Sequence, residues 1–228
     1  STLVLDTTLI GAHVTVQVTG TKTGYETLAR TSAPTAVVAA APVVAGVVTF
    51  SGTPVVGTPV TVDPGTWSPV GTTLSYAWTR DGVALLTATG NSYTPTAEDL
   101  GMGLTVTVVG TKDGQTTSVT VTSELVLPGT LVPGTVSITG DATVGSTLTA
   151  ITTPWGPDPV TVGFQWLRNG SPILGATSAT YVVGGADVTA TLSVVATGTK
   201  PGYGDAPVTS APVTVGLLTM PTATLTVP

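Results

Sequence analysis

Cysteine is absent from this sequence of 228 residues, and histidine occurs once. The first absence excludes a disulfide framework and thiolate metal sites, and it leaves the redox compartment open. Charge is scarce as well: Asp, Glu, Lys and Arg make up 8% of the chain, against the usual proportion of about 25%. Three lysines and three arginines face nine aspartates and three glutamates, for a net charge of −6. Six scattered cations make no basic footprint, which argues against nucleic-acid binding. The acids are too sparse for an acidic tail or a disordered polyelectrolyte. Long apolar runs are missing too. The stretch 36–48 is too short for a membrane span and contains Pro42, so no membrane insertion is expected. No basic segment followed by an apolar block stands at Ser1. If the chain is secreted, its signal is expected to have been removed or to lie upstream.

Threonine and valine fill the space that charge and helix-forming residues leave. β-Branched side chains suit a pleated, half-buried surface, so the chain reads as all-β. The stretch Leu74–Gly82 organises the rest. Leu74, Tyr76 and Trp78 alternate with small or polar residues, which puts three large side chains on one face of a strand. Asp81-Gly82 then supplies hairpin-turn chemistry. The same pattern returns as Val162, Phe164 and Trp166, closed by Asn169-Gly170.

The two copies sit at one gapless offset. Trp67 and Trp155 are 88 positions apart (155 − 67), as are Trp78 and Trp166, Arg80 and Arg168, Tyr93 and Tyr181, Asp99 and Asp187, and Lys112 and Lys200. A further, partial copy precedes them. Gly20-Thr21-Lys22-Thr23-Gly24 matches Gly110–Gly114 at an offset of 90, and Ile10-Gly11 matches Leu100-Gly101. The spacing therefore predicts four segments: 1–40, the C-terminal half of a repeat; 45–128 and 133–216, two whole repeats; and 217–228, a tail or the start of another. Within the first whole repeat, strands are expected at 47–50, 58–62, 74–79, 84–87, 92–94, 104–109 and 118–122, with a helical turn over Thr96–Leu100. Alternation of apolar and threonine positions is what an antiparallel sandwich with one wet face requires.

The segments Val56–Thr61 and Val144–Thr149, the tryptophans Trp67 and Trp155, the aromatic-x-Trp-x-Arg-Asp/Asn-Gly stretches at 76–82 and 164–170, the turn Thr96–Leu100 and the threefold Gly-Thr-Lys-x-Gly turn together carry a resemblance. The chain resembles bacterial immunoglobulin-like repeat domains of long surface and secreted proteins, especially of actinobacteria. The resemblance implies tandem immunoglobulin-like antiparallel β-sandwiches, with Trp78 and Trp166 as core tryptophans. The paired cysteines usual around that tryptophan in antibody domains are absent, and Val60 or Val62 with Val106 is expected to fill their space.

Few residues suggest chemistry. His13 has no partners for a catalytic triad or a zinc site, and its counterparts are Gly103 and Thr191, so it reads as a surface strand residue. Asp99 and Asp187 could suggest calcium, but Glu98 is the one acid nearby and Ala186 replaces it in the next copy; capping of the helical turn is the better reading. Lys22, Lys112 and Lys200 occupy one recurring turn. An internal isopeptide would need asparagine in an adjacent core strand, yet Asn91 and Asn169 stand beside turn glycines at non-equivalent positions. Solvated turn lysines are expected instead. Leu127-Pro128-Gly129-Thr130 is similar to a sortase signal but continues into another repeat, and reads as a linker. Tyr25 and Tyr203 follow the turn glycine where the middle copy has Gln115, which favours packing over recognition of sugar or protein. Trp67 and Trp155 read as cover over a sandwich end, with a stacking surface as the alternative.

No catalytic, cofactor or metal residues are assigned, and an enzyme within this chain is not expected. The sequence points to a structural spacer, stalk or fibre-forming part of a secreted or cell-surface protein. The alternatives are an adhesin-type module for glycan or protein, an accessory region of a secreted hydrolase, and a phage or virion component. Self-association end to end, or by strand addition at the incomplete first copy, is the expected partner chemistry.

Overall fold

The computed structural model describes residues 2–217, and the expected further repeat falls outside them from position 218 onward. The chain forms two compact units. One comprises Ser1–Pro54, Pro59–Thr94 and Gly101–Leu125; the other comprises Val55–Thr58, Pro95–Leu100 and Val126–Pro228.

The first unit opens with a lone antiparallel hairpin, β1 (Gln17–Gly20) with β2 (Leu28–Thr31), exposed along its whole length. A sandwich follows, built from β3 (Thr49–Ser51), β4 (Val60–Asp63), β5 (Thr73–Arg80), β6 (Val83–Ala84), β7 (Ser92–Tyr93), β8 (Gly103–Lys112) and β9 (Gln115–Leu125). One sheet has the order β3-β4-β7 and the other β6-β5-β8-β9, with every pair antiparallel. Val106 lies opposite Trp78 in the β5–β8 ladder. Leu104, Val106 and Val108 are fully buried, while the intervening threonines point outward. There Thr105 meets Thr122, and Thr107 meets Thr120, each hydroxyl pair at 2.9 Å. The period of two thus sorts each strand into a dry face and a hydroxyl face.

The second unit contains the second sandwich. Its strands are β10 (Val136–Thr139), β11 (Thr147–Thr152), β12 (Thr161–Arg168), β13 (Ser171–Pro172), β14 (Thr180–Val182), β15 (Thr191–Thr199), β16 (Ala206–Thr209) and β17 (Val213–Thr214). The sheets are β10-β11-β14 and β13-β12-β15-β16, with β17 also on β15. The tandem is therefore two antiparallel immunoglobulin-like sandwiches preceded by a hairpin.

The turns follow from local chemistry. Asp81 and Gly82 both adopt positive φ (44° and 83°), and so do Asn169 and Gly170 (50° and 80°). Two left-handed residues in succession are what a tight hairpin needs to match strand twist, and Asp-Gly and Asn-Gly reach that region at least cost. Both cores close on a tryptophan. Trp78 is 1% exposed and Trp166 is fully buried. Their indole N–H groups donate to the carbonyls of Gly90 (2.8 Å) and Ser178 (2.9 Å), so neither ring buries an unsatisfied donor. Val60, Val62 and Val106 are each at most 2% exposed, and Val106 lies opposite Trp78. Burial of such a valine contributes roughly 1.5–3 kcal/mol, which is how a cysteine-free sandwich holds together.

Candidate functional site

The most organised polar cluster lies at the end of β12 in the second unit. A 3-10 turn, Gly185–Asp187, links β14 to β15. Its last residue, Asp187, is fully buried. One carboxylate oxygen accepts from Arg168 Nε at 2.6 Å; the other accepts from the Tyr181 hydroxyl at 2.8 Å and the Gly184 N–H at 2.7 Å. Tyr181 in turn stacks on Trp166, with ring centroids 5.5 Å apart. Burial works to raise the Asp187 pKa, but the Gly184, Arg168 and Tyr181 bonds outweigh it and hold the carboxyl below its ordinary range. Burial, then the bond to Asp187, raises the Tyr181 pKa, and the Asp187 bond raises that of Arg168. Each group is thus fixed in its ordinary protonation state at neutral pH. No member is poised to exchange a proton, and the cluster works as a staple between the tryptophan strand and the crossover turn.

Asp99 repeats the capping half of this arrangement: it is fully buried, and its Oδ2 accepts from the Thr96 N–H at 2.6 Å and the Thr96 hydroxyl at 2.9 Å. The capping reading of both aspartates therefore stands. The tyrosine and arginine partners of Asp187 were not read from the sequence. The signal was present, because Tyr, Asp and Arg recur together at the 88-residue offset and the partial copy has Leu3 and Leu9 in place of Tyr and Asp.

The other candidates do not converge. His13 is exposed, and its Nδ1 donates to the Thr35 carbonyl at 2.6 Å, which fixes a chain crossing. Asn169 Oδ1 accepts from the Thr191 N–H at 2.9 Å and from the Thr191 hydroxyl at 3.3 Å. Lys200 differs from the solvated reading: its amine donates to the carbonyls of Pro157 (2.9 Å) and Asp158 (2.8 Å) and lies over the Tyr203 ring. Tyr203 is anchored within the second unit. Gly129 donates to the Gly202 carbonyl (2.9 Å) and accepts from the Gly204 N–H (3.0 Å), so the backbone brackets the ring. Side chains at Gly57 or Gly129 would overlap that ring. Tyr25, with Lys22 over its ring at 4.7 Å, has the same local shape but is 70% exposed. Trp67 and Trp155 are buried (8% and 4% exposed), so both cover their cores and offer no stacking surface. In the first unit a groove of 710 Å³ is lined chiefly by Leu3, Leu5, Ile10, Val14, Val37 and Val70. Among the described residues no three His, Cys, Asp or Glu side chains gather to hold a metal ion, and no helix is long and apolar enough to cross a membrane.

The chain matches no protein-family model and no curated protein. Among solved structures it is similar to a Ca2+-stabilized adhesin with which an Antarctic bacterium binds ice, at 16% identity and a TM-score of 0.40; the alignment covers 92% of this chain and 57% of that one. A two-domain structure, Rst D1-D2, aligns at 16% identity and a TM-score of 0.31, covering 75% of this chain and 99% of that one. The three N-terminal domains of the bacteriophage RB49 outer capsid protein Hoc align at 14% identity and a TM-score of 0.27, covering 83% and 71%.

Proposed function

We propose that this chain is a non-catalytic spacer, part of a stalk or fibre in a secreted or cell-surface protein. The observation that carries the reading is repetition of one sandwich, element by element, with its polar cluster used for packing. β5 and β12 are related by the 88-residue offset at both ends, as are β6 and β13. The 3-10 turn Ala97–Asp99 stands in the same relation to Gly185–Asp187. Both oxygens of Asp187, the buried carboxylate of the second sandwich, are taken up by Gly184 of its own turn, Tyr181 of β14 and Arg168 of β12. Glycan or protein capture through loop tips is the competing reading, with exposed Tyr25 as its best contact.

Single-molecule extension of the chain tests the proposal. A spacer yields two separate unfolding events of similar force. Each releases roughly 30 nm of contour, from 88 residues at about 3.5 Å each. Glycan-array binding that disappears on Tyr25→Ala, together with weak and irregular extension, would replace the spacer by the capture reading.

A further inference from the structure

Asn169 and Gly170 form the turn that joins β12 to β13, closed by the pairing of Arg168 with Ser171. Both are exposed. The asparagine side chain is held by its oxygen alone. Oδ1 receives the Thr191 N–H at 2.9 Å and the Thr191 hydroxyl at 3.3 Å, so two donors from β15 converge on one carbonyl oxygen. Among the described residues none accepts from the Asn169 amide nitrogen, and none accepts from the Gly170 N–H. Nothing lies within 4 Å of where a Cβ on Gly170 would stand.

These are the parts of an intramolecular acyl transfer. The electrophile is the side-chain carbonyl carbon of Asn169. The nucleophile is the next backbone nitrogen, tethered to it covalently, so that attack carries no cost of bringing two molecules together. Glycine leaves the approach to that nitrogen clear. The Thr191 donors point at the oxygen on which negative charge develops as the bond forms. The leaving group, the amide nitrogen, has no bond holding it in place.

We propose that Asn169 is a self-modification site, converted through a cyclic imide with Gly170 to aspartate or to its β-linked isomer. The Gly170 nitrogen forms a bond to Cγ and gives its proton to solvent. The bond from Cγ to Nδ2 then breaks, and ammonia departs with the electron pair and a proton from solvent. Water adds to one of the two ring carbonyls and reopens the imide. Asparagine and water thus become an acid and ammonia, with no change of oxidation state. Opening at Cγ gives aspartate, and opening at the main-chain carbonyl gives the isomer.

The first sandwich shows that one product fits. Its matching turn is Asp81-Gly82, with φ of 44° and 83° against 50° and 80° at Asn169-Gly170. The isomer instead adds a methylene to the main chain, which a two-residue turn cannot absorb while Arg168 stays opposite Ser171. Asn91 is the internal control. It precedes Ser92, whose nitrogen carries a side-chain-bearing residue of β7 paired with Thr61. The inference goes beyond the spacer reading and does not depend on it, since a binding module would carry the same turn.

The full chain is aged at mildly alkaline pH in heavy-oxygen water, folded and in urea, and followed by peptide mapping and ammonia assay. In the folded chain Asn169 is expected to lose its amide and gain one solvent oxygen, with one ammonia released, while Asn91 keeps its amide. The net charge moves from −6 one unit further negative. Thr191→Val, which removes the hydroxyl donor, is expected to slow the folded reaction and leave the rate in urea unchanged. Asn169→Asp is expected to keep the Tm of the second sandwich, whereas molecules carrying the β-linked isomer melt lower. Retention of the Asn169 amide in the folded chain while the urea-unfolded chain loses it overturns the proposal, because the fold would then protect the turn. Equal loss at Asn91 and Asn169, or an equal effect of Thr191→Val in both conditions, overturns it as well.

Discussion

Arg168 reaches Asp187 at 2.6 Å from a side chain that is one-third exposed, while the carboxylate it meets is wholly buried. The asymmetry sets the energetics. Loss of the arginine strands a buried anion, whereas loss of the aspartate frees a cation that can turn to water. Arg168→Ala is therefore expected to destabilise the second sandwich more than Asp187→Ala, which loses the cap and its hydrogen bonds at a cost of about 2 kcal/mol. Urea unfolding of the two variants checks the order.

The same carboxylate makes the second sandwich acid-labile. Its folded pKa lies below the unfolded value of about 4. Its contribution is complete above that unfolded value and is lost as pH falls through the folded one. The Tm of the second sandwich should drop as pH falls below about 4, and Asp187→Asn should remove that part of the drop. Scanning calorimetry across this range reads both.

The two end-cover tryptophans should respond differently to phenylalanine. Trp67 Nε1 donates to the Pro64 carbonyl at 2.8 Å, whereas the buried Trp155 Nε1 has no acceptor. Trp67→Phe loses a hydrogen bond and strands a carbonyl, at a cost of roughly 1 kcal/mol more than Trp155→Phe. Parallel denaturant titrations of the two variants measure the difference.

Gly129→Ala tests the Tyr203 bracket. A Cβ there would stand about 2.5 Å from the Tyr203 ring and 2.6 Å from the Val56 carbonyl oxygen. The variant should expose Tyr203 and lower the stability of the second unit by about 2 kcal/mol. Gly204→Ala, where nothing lies within 4 Å, should be close to neutral. Tyrosine fluorescence quenching alongside thermal melts separates the two.

What was legible in the sequence was whatever depends on period and turn chemistry. The tryptophan strand was expected at 74–79 and spans Thr73–Arg80, because alternation and the Asp-Gly turn both mark its end. Strand 84–87 was misplaced: the strand is Val83–Ala84, and Leu85 to Ala88 closes a turn, the Ala88 N–H donating to the Leu85 carbonyl. The stretch 118–122 proved to be the middle of an eleven-residue strand, since Asp113-Gly114 lets pairing run to the hairpin tip. The polar cluster was legible only in its local half. Capping acts over three residues, but Arg168 and Tyr181 stand 19 and 6 positions from Asp187 and meet it through sheet packing. The Lys200 contacts likewise cross more than forty residues, beyond what a turn motif encodes.

The threonine pairs on the outer face of β8 and β9 have a consequence for the surroundings in which such a protein can work. Hydroxyl joined to hydroxyl at 2.9 Å offers counter-ions nothing to screen. Those hydroxyl pairs are expected to hold alike in brackish, fresh or saline water, because they carry no charge for dissolved salt to act upon.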